Sequence, residues 1–235
     1  PQNLEAAIRG LSALGLAGCN LSLPHKVAAL KLMDVVDPLA QRMGAINCIV
    51  VQDDGSLHGF NNDGYGYIQS LKDVKPEWRA DAGPALVLGA GGAARAVVLS
   101  LIDEGAREIR LTNRSIEKAQ ALAAGLEAFV KVVPWAERNA AMDGAALLVN
   151  TTNQGMYGQP PLDVALDALP LSAMVSDVIY IPLETPLLAA ARLRGHTTVN
   201  GLGMLLNQAR PAFKAWFGVM PEITPELKQA ILATF

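Results

Sequence analysis

Along the first part of the chain, apolar and polar positions alternate in short blocks of changing period. Leu4, Ile8, Leu11 and Leu14 recur at helical spacing after Asn3, a candidate N-cap, with Gly15 as a natural stop, so the chain opens on a helix. A short strand-like run covers 18–23, Pro24 follows, and a second helical pattern extends from about Lys26 to Val36. The runs Ile46 to Gln52 and Leu57 to Phe60, joined through Asp53-Asp54-Gly55, predict a hairpin. Helical spacing returns from Asp63 to about Leu71.

The stretch from Lys75 to Pro84 is polar and broken by prolines, and a domain boundary is expected near it. Beyond it, apolar runs at 85–88, 109–112, 130–133, 147–150, 175–180 and 197–200 mostly alternate with helical stretches. That alternation predicts a parallel, doubly wound sheet of the Rossmann kind. After Gly203 the period is helical through Leu205, Leu206, Ala209, Phe213, Trp216 and Phe217, with a kink or break predicted at Pro211. Thr224-Pro225-Glu226 starts a last helix, with a hydroxyl N-cap and proline at the first helical position. The fold class is therefore α/β with two lobes. Residues 71–203 are expected to form a doubly wound nucleotide domain, and residues 1–70 with 204–235 an α/β substrate domain completed by the C-terminal helices.

Composition narrows the function classes. The chain has 235 residues, of which 51% are hydrophobic and 17% charged, a balance that suits a parallel sheet covered on both faces. A formal charge of -3 lacks the basic excess that attracts nucleic acid. Cys19 and Cys48 are too few for a disulfide framework, and His25, His58 and His196 show no metal-ligand spacing with them. No metal and a reducing cytoplasm are the expectations. No apolar run approaches the roughly 18 residues that span a bilayer, so no membrane partner is expected.

The sharpest local motif is Gly89-Ala90-Gly91-Gly92-Ala93-Ala94, which follows a strand and opens a helix. It matches Gly-x-Gly-x-x-Ala, in which the first glycine allows the turn, the second lets the backbone approach a pyrophosphate, and the alanine permits close packing of helix on strand. The second strand leads into Asn113-Arg114-Ser115, where an NAD enzyme would usually carry a carboxylate for the ribose 2'-hydroxyl. Arg114 can instead stack on the adenine or pair with a 2'-phosphate, with Asn113 and Ser115 as hydrogen-bonding neighbours and Lys118 adding charge. NADP is the expected cofactor.

Hydride transfer to a carbonyl also needs a proton donor. Asn20-Leu-Ser-Leu-Pro-His-Lys26 and Gly59-Phe-Asn-Asn-Asp63 are polar clusters at predicted strand ends. Taken alone, Lys26 reads as a solvated lysine at a helix start and Asp63 as an N-cap.

Together these motifs resemble those of the shikimate dehydrogenase family. The family pattern Asn-Val-Thr-x-Pro-His-Lys appears as Asn20-Leu21-Ser22-Leu23-Pro24-His25-Lys26, followed by Gly44-Ala-Ile-Asn47 and Asn61-Asn62-Asp63. The phosphate loop, Asn113-Arg114-Ser115, Asn150-Thr-Thr-Asn-Gln-Gly-Met156, Asp177-Val-Ile-Tyr-Ile-Pro182 and Gly201-Leu-Gly-Met-Leu-Leu-Asn-Gln208 continue the series in order. The resemblance implies reversible reduction of 3-dehydroshikimate by NADPH, a step in chorismate and aromatic amino acid biosynthesis, by a monomer or homodimer. It places Lys26 and Asp63 on the proton-handling pair. It puts Ser22, Asn47 and Gln208 on the ring hydroxyls, Tyr180 near substrate and nicotinamide, and Thr151 and Gly201 with the cofactor.

Ser22 replaces the family's Thr but keeps the hydroxyl. Cys48 stands where Thr is usual, and Asn62 replaces the Thr before the catalytic Asp; both bear on substrate preference. The family also begins with a strand, helix and strand carrying Ser-x-Ser, which grips the substrate carboxylate. No such unit precedes Pro1, and a unit of that kind takes upwards of about 30 residues. A polypeptide starting at Pro1 is therefore expected to bind NADP but turn over poorly. Two rival readings are a quinate/shikimate paralogue that accepts NAD, and a nucleotide-binding homologue without catalysis.

Overall fold

The computed structural model describes residues 2–22 and 24–234, and the chain divides into two compact units. One unit is Tyr67–Leu205; the other takes the residues up to Gly66 together with Leu206–Thr234. Helices α4 (Asp63–Val74) and α8 (Gly201–Phe217) carry the chain across the two junctions.

In the unit Tyr67–Leu205, six parallel strands stand in the order β10-β9-β8-β5-β6-β7. They are β5 (Ala85–Leu88), β6 (Ile109–Thr112), β7 (Val130–Val133), β8 (Leu147–Asn150), β9 (Met174–Asp177) and β10 (Thr197–Val199). This is the doubly wound order, in which successive strands are added first on one side of β5 and then on the other. Side chains alternate across the sheet and both faces are dry. Ala85, Val87, Leu147 and Val149 enter one apolar cluster, whereas Leu86, Leu88 and Leu148 enter another on the other face. Each such leucine, fully buried, contributes about 1.5 to 3 kcal/mol. Helices α5 (Gly92–Asp103), α6 (Ile116–Ala123) and α7 (Pro186–Leu193) connect the strands.

One predicted strand is shorter than its apolar run. Residues 175–180 read as a single strand, but β9 stops at Asp177. The Asp177 carboxylate accepts from the Ile179 amide at 3.0 Å, which closes a turn and takes Val178, Ile179 and Tyr180 out of the sheet.

The other unit holds a four-stranded mixed sheet, order β1-β3-β4-β2, from β1 (Gly18–Asn20), β2 (Val35–Val36), β3 (Cys48–Val51) and β4 (Leu57–Phe60). The β3–β4 hairpin is antiparallel as the alternation predicted, closed by Gln52 donating to the Ser56 carbonyl at 2.9 Å. The opening helix, α1 (Leu4–Ala13), buries Ile8 and Leu11, although Asn3 makes no side-chain capping bond. The first strand-like run is likewise shorter than predicted, ending at Asn20, and Leu23 lies outside the described residues.

The helix predicted over 26–36 is also shorter. Helix α2 covers only His25–Leu30, and the chain then joins the sheet through β2. Asp34 causes the change by exchanging two bonds with Leu57: its amide donates to the Leu57 carbonyl and its carboxylate accepts from the Leu57 amide. The β-branched Val35-Val36 pair then suits a strand better than a helix. A short helix that periodicity did not signal, α3 (Pro38–Met43), starts from Asp37, whose side chain accepts from Leu39 and Ala40 amides. Helix α8 continues through Pro211 as one element, so of the kink or break expected there, the break does not occur. Thr224 caps α9 (Pro225–Leu232) as expected.

Candidate functional site

Backbone bonds inside one unit bring three separate segments together. The Ile46 amide donates to the Lys26 carbonyl, the Leu21 amide to the Asn47 carbonyl, and the Asn47 amide to the Phe60 carbonyl. Asn61 then shapes the start of α4. Its Oδ1 accepts from the Asp63 amide at 3.0 Å, while its Nδ2 donates to the Ala45 carbonyl at 2.9 Å. Because Asn61 serves the helix terminus, the Asp63 carboxylate is not needed as a cap.

That carboxylate accepts from Lys26 Nζ at 2.7 Å on one oxygen and from Asn47 Nδ2 at 2.8 Å on the other. Asn47 also donates to Gln208 Oε1 at 3.2 Å and accepts from the Asn62 amide at 2.9 Å. Both Asn47 amide protons and its oxygen are thus engaged, and the residue is only 2% exposed. The Lys26 and Asp63 side chains keep 23% and 18% exposure, enough for each to meet a bound molecule. An ammonium held beside a carboxylate presents a proton donor and a hydrogen-bond acceptor to neighbouring oxygens of a ligand. Ser22 is exposed next to the segment, and its carbonyl accepts from the His25 amide.

Two departures from the family pattern have different surroundings. Cys48 points into a small apolar cluster with Val50 and Ala212, and burial pushes its thiol up to about 12. It is a packing residue. Asn62 contributes its backbone amide to Asn47, a contact that does not depend on its side chain.

The phosphate loop belongs to the other unit. Gly89 leaves β5 at φ +113, and a Cβ there would meet Thr151 Oγ1 at 2.5 Å. Thr151 is fixed above it, donating from both its amide and its hydroxyl to the Leu88 carbonyl. A Cβ on Gly91 or Gly92 would meet nothing within 4 Å. The first glycine is therefore set by packing, while the next two leave the N-terminus of α5 open to a ligand. Buried Ala94 packs in the apolar core at the third fingerprint position. This arrangement fits a pyrophosphate, which would find free amides and a favourable helix dipole there.

A pocket beside the loop is lined by Gly89, Ala90, Gly91, Asn113, Arg114 and Thr151, among others. Trp135, Thr152, Asn153 and Gln154 line it too. Trp135 carried no sequence signal, since only its place after β7 brings it there. Gly92, Ala93, Ser115 and Lys118 are not among the lining residues. Ser115 Oγ donates to Glu117 at 2.8 Å, and Lys118 is exposed on the first turn of α6. Asn113 Nδ2 braces the turn by donating to the Ser115 carbonyl.

Tyr180 lines a second pocket with Thr151, Thr152, Met156 and Val178–Ile181. Asp177 underlies this loop. Besides the Ile179 amide, its carboxylate accepts from Asn150 Nδ2 at 3.1 Å and Thr185 Oγ1 at 2.8 Å. Burial pushes its pKa up to about 6, against the opposing effect of these donors. Gly201 lines neither pocket; a Cβ there would overlap the Val178 carbonyl, so it serves close backbone packing under the Tyr180 loop.

Among the described residues no group of three or more His, Cys, Asp or Glu could hold a metal ion. No described helix is long and apolar enough to cross a membrane.

Three family models match the chain: a shikimate dehydrogenase substrate binding domain over residues 1–49, shikimate / quinate 5-dehydrogenase over 74–157, and a shikimate 5'-dehydrogenase C-terminal domain over 201–232. Shikimate dehydrogenase (NADP(+)) of Paramagnetospirillum magneticum is 52% identical over 233 residues, covering 99% of this chain and 84% of that protein. Shikimate 5-dehydrogenase of Thermus thermophilus, solved with NADP(H) and shikimate, superposes with a TM-score of 0.85 at 34% identity, covering 100% of this chain and 85% of that one. Quinate dehydrogenase of Corynebacterium glutamicum, solved with NAD, gives 0.89 at 31% identity, covering 98% and 82%.

Proposed function

The chain belongs to the shikimate dehydrogenase family and is an NADP-dependent oxidoreductase; we propose that Lys26 and Asp63 carry its reversible reduction of 3-dehydroshikimate to shikimate. The observation behind this assignment is the 2.7 Å contact between Lys26 Nζ and Asp63, braced by Asn47. We assign the substrate to the unit that contains these residues and NADP to the unit that contains Gly89 and Arg114.

When bound, NADPH supplies the hydride, and NADP accepts it in the reverse direction. Lys26 Nζ gives a proton to the carbonyl oxygen of the substrate as negative charge develops there, and takes it back from the hydroxyl in the reverse reaction. Asp63 keeps the ammonium aimed and accepts a hydrogen bond from a neighbouring substrate hydroxyl. Gln208 is joined to the pair through Asn47 and orients a further hydroxyl. Ser22 supplies a hydroxyl from the exposed side of the segment. Tyr180 lines the second pocket together with Thr151, where it would flank the nicotinamide of bound NADP.

Likeness to a quinate dehydrogenase solved with NAD keeps a second substrate and cofactor in view. Steady-state kinetics with shikimate and quinate, each with NADP and NAD, distinguish them. The expected result is a kcat/KM highest for shikimate with NADP. A preference for quinate or NAD would favour the second reading, and NADP binding without turnover of either acid by a protein that carries the family's Ser-x-Ser unit would remove catalysis altogether.

A further inference from the structure

We propose that Trp135 is the adenine-binding surface of the cofactor pocket and that Arg114 is thereby left to the 2'-phosphate. The inference rests on the reading of this pocket as the NADP site. Strand β7 ends at Val133, and Pro134 leads into a single 3-10 turn, Trp135–Glu137, at the carboxyl end of the sheet. Dinucleotides bind along that end of a doubly wound sheet. Trp135 lines the same pocket as the phosphate loop and Arg114.

The ring is also held in place. The Arg138 guanidinium lies 4.8 Å from its centroid, and Arg138 Nη1 donates to the Trp135 carbonyl at 2.9 Å. Arg138 Nε and Nη2 donate to the carbonyl and carboxylate of Asp163 at 2.7 and 2.6 Å. With these donors engaged and the side chain 12% exposed, Arg138 is a bracket for the indole and not a phosphate ligand. Trp135 packs in addition against the apolar cluster that contains Leu86 and Leu88. A fixed aromatic surface loses little conformational freedom when a base stacks on it. Arg114, exposed at the end of β6, is a flexible cation better suited to a phosphate.

The two roles separate by cofactor, because NADP and NAD share the adenine and differ in the 2'-phosphate. Equilibrium binding of NADPH and NADH, read from nucleotide fluorescence, tests this, with 2',5'-ADP as competitor. Trp135→Ala and Trp135→Leu are expected to weaken both nucleotides by the same factor, on the order of ten-fold, with Trp135→Phe near wild type. Arg114→Ala is expected to weaken NADPH alone. Trp135→Leu keeps the contact with the apolar cluster, so it decides the question should the alanine variant fail to fold. The inference is overturned if Trp135→Leu binds both nucleotides as tightly as wild type, or loses only NADPH. If wild type binds neither NADPH nor 2',5'-ADP, the NADP reading of the pocket fails and takes the inference with it.

Discussion

Lys26 Nζ and Asp63 Oδ2 meet at 2.7 Å although 37 residues separate them in the chain. Neither charge is spent on its own helix end. Asn61 takes over the turn that starts α4, and the Asp63 carboxylate is free to face Lys26 and Asn47. The pair is partly exposed, so its Coulomb attraction adds little to stability, and its placement is better explained by chemistry.

Lys26→Ala is expected to lower kcat by about 10²-fold or more, the usual worth of a positioned acid/base group, with a smaller effect on KM. Asp63→Asn should also lower kcat, since an amide aims the ammonium less strongly. Steady-state rates with shikimate and NADP check both. An unchanged kcat in Lys26→Ala would remove that residue from the mechanism.

Much of this was legible in the sequence where local rules act alone. The six parallel strands followed from apolar runs, and Gly89 and Gly91 from a motif whose physics is backbone approach. The Lys26–Asp63 pair was named only through family resemblance, because each residue alone had an ordinary local reading. What the sequence did not disclose depends on contacts distant along the chain. Asp34 bonding to Leu57 ends a helix that periodicity would continue, and the Asp177 turn cuts short an apolar run. Trp135 reaches the pocket only because β7 delivers it there.

The two glycines of the phosphate loop should respond differently to one added methyl. Gly91→Ala places its Cβ in open space and should fold normally while weakening NADPH on the order of ten-fold, since the backbone is where the pyrophosphate approaches. Gly89→Ala puts a Cβ 2.5 Å from Thr151 Oγ1 at a strained φ and should destabilise the fold itself, by about 1 to 3 kcal/mol. Thermal unfolding measured beside nucleotide binding separates the two effects. Equal stability in both variants would contradict this account.

Asn47→Ala should reduce stability and turnover together. It removes the partner of the Asn62 amide and the group holding Asp63 and Gln208, and unsatisfied polar groups of this kind cost about 1 to 3 kcal/mol. Urea unfolding measures the first effect, and kcat well below the melting temperature the second. Full activity in a destabilised variant would limit Asn47 to a structural role.

Asp177 predicts a pH dependence whose sign can be worked out. Its folded pKa of about 6 lies above the value of about 3.9 for a free aspartate. Below pH 4 both states are protonated. Between pH 4 and 6 the unfolded chain releases this proton while the folded protein keeps it, so the unfolded state binds fewer protons and stability falls as pH rises. A shift of about two units amounts to on the order of 3 kcal/mol, with no further change from this group above pH 6. Asp177→Asn does not titrate and should lack this component, so subtracting its urea-unfolding profile from that of wild type cancels the contribution of the other carboxylates. The difference should decline from pH 4 to 6 and then level. A difference that rises instead would mean that the donors from Asn150, Ile179 and Thr185 favour the carboxylate more than burial penalises it, and that the Tyr180 loop is held by an anion throughout.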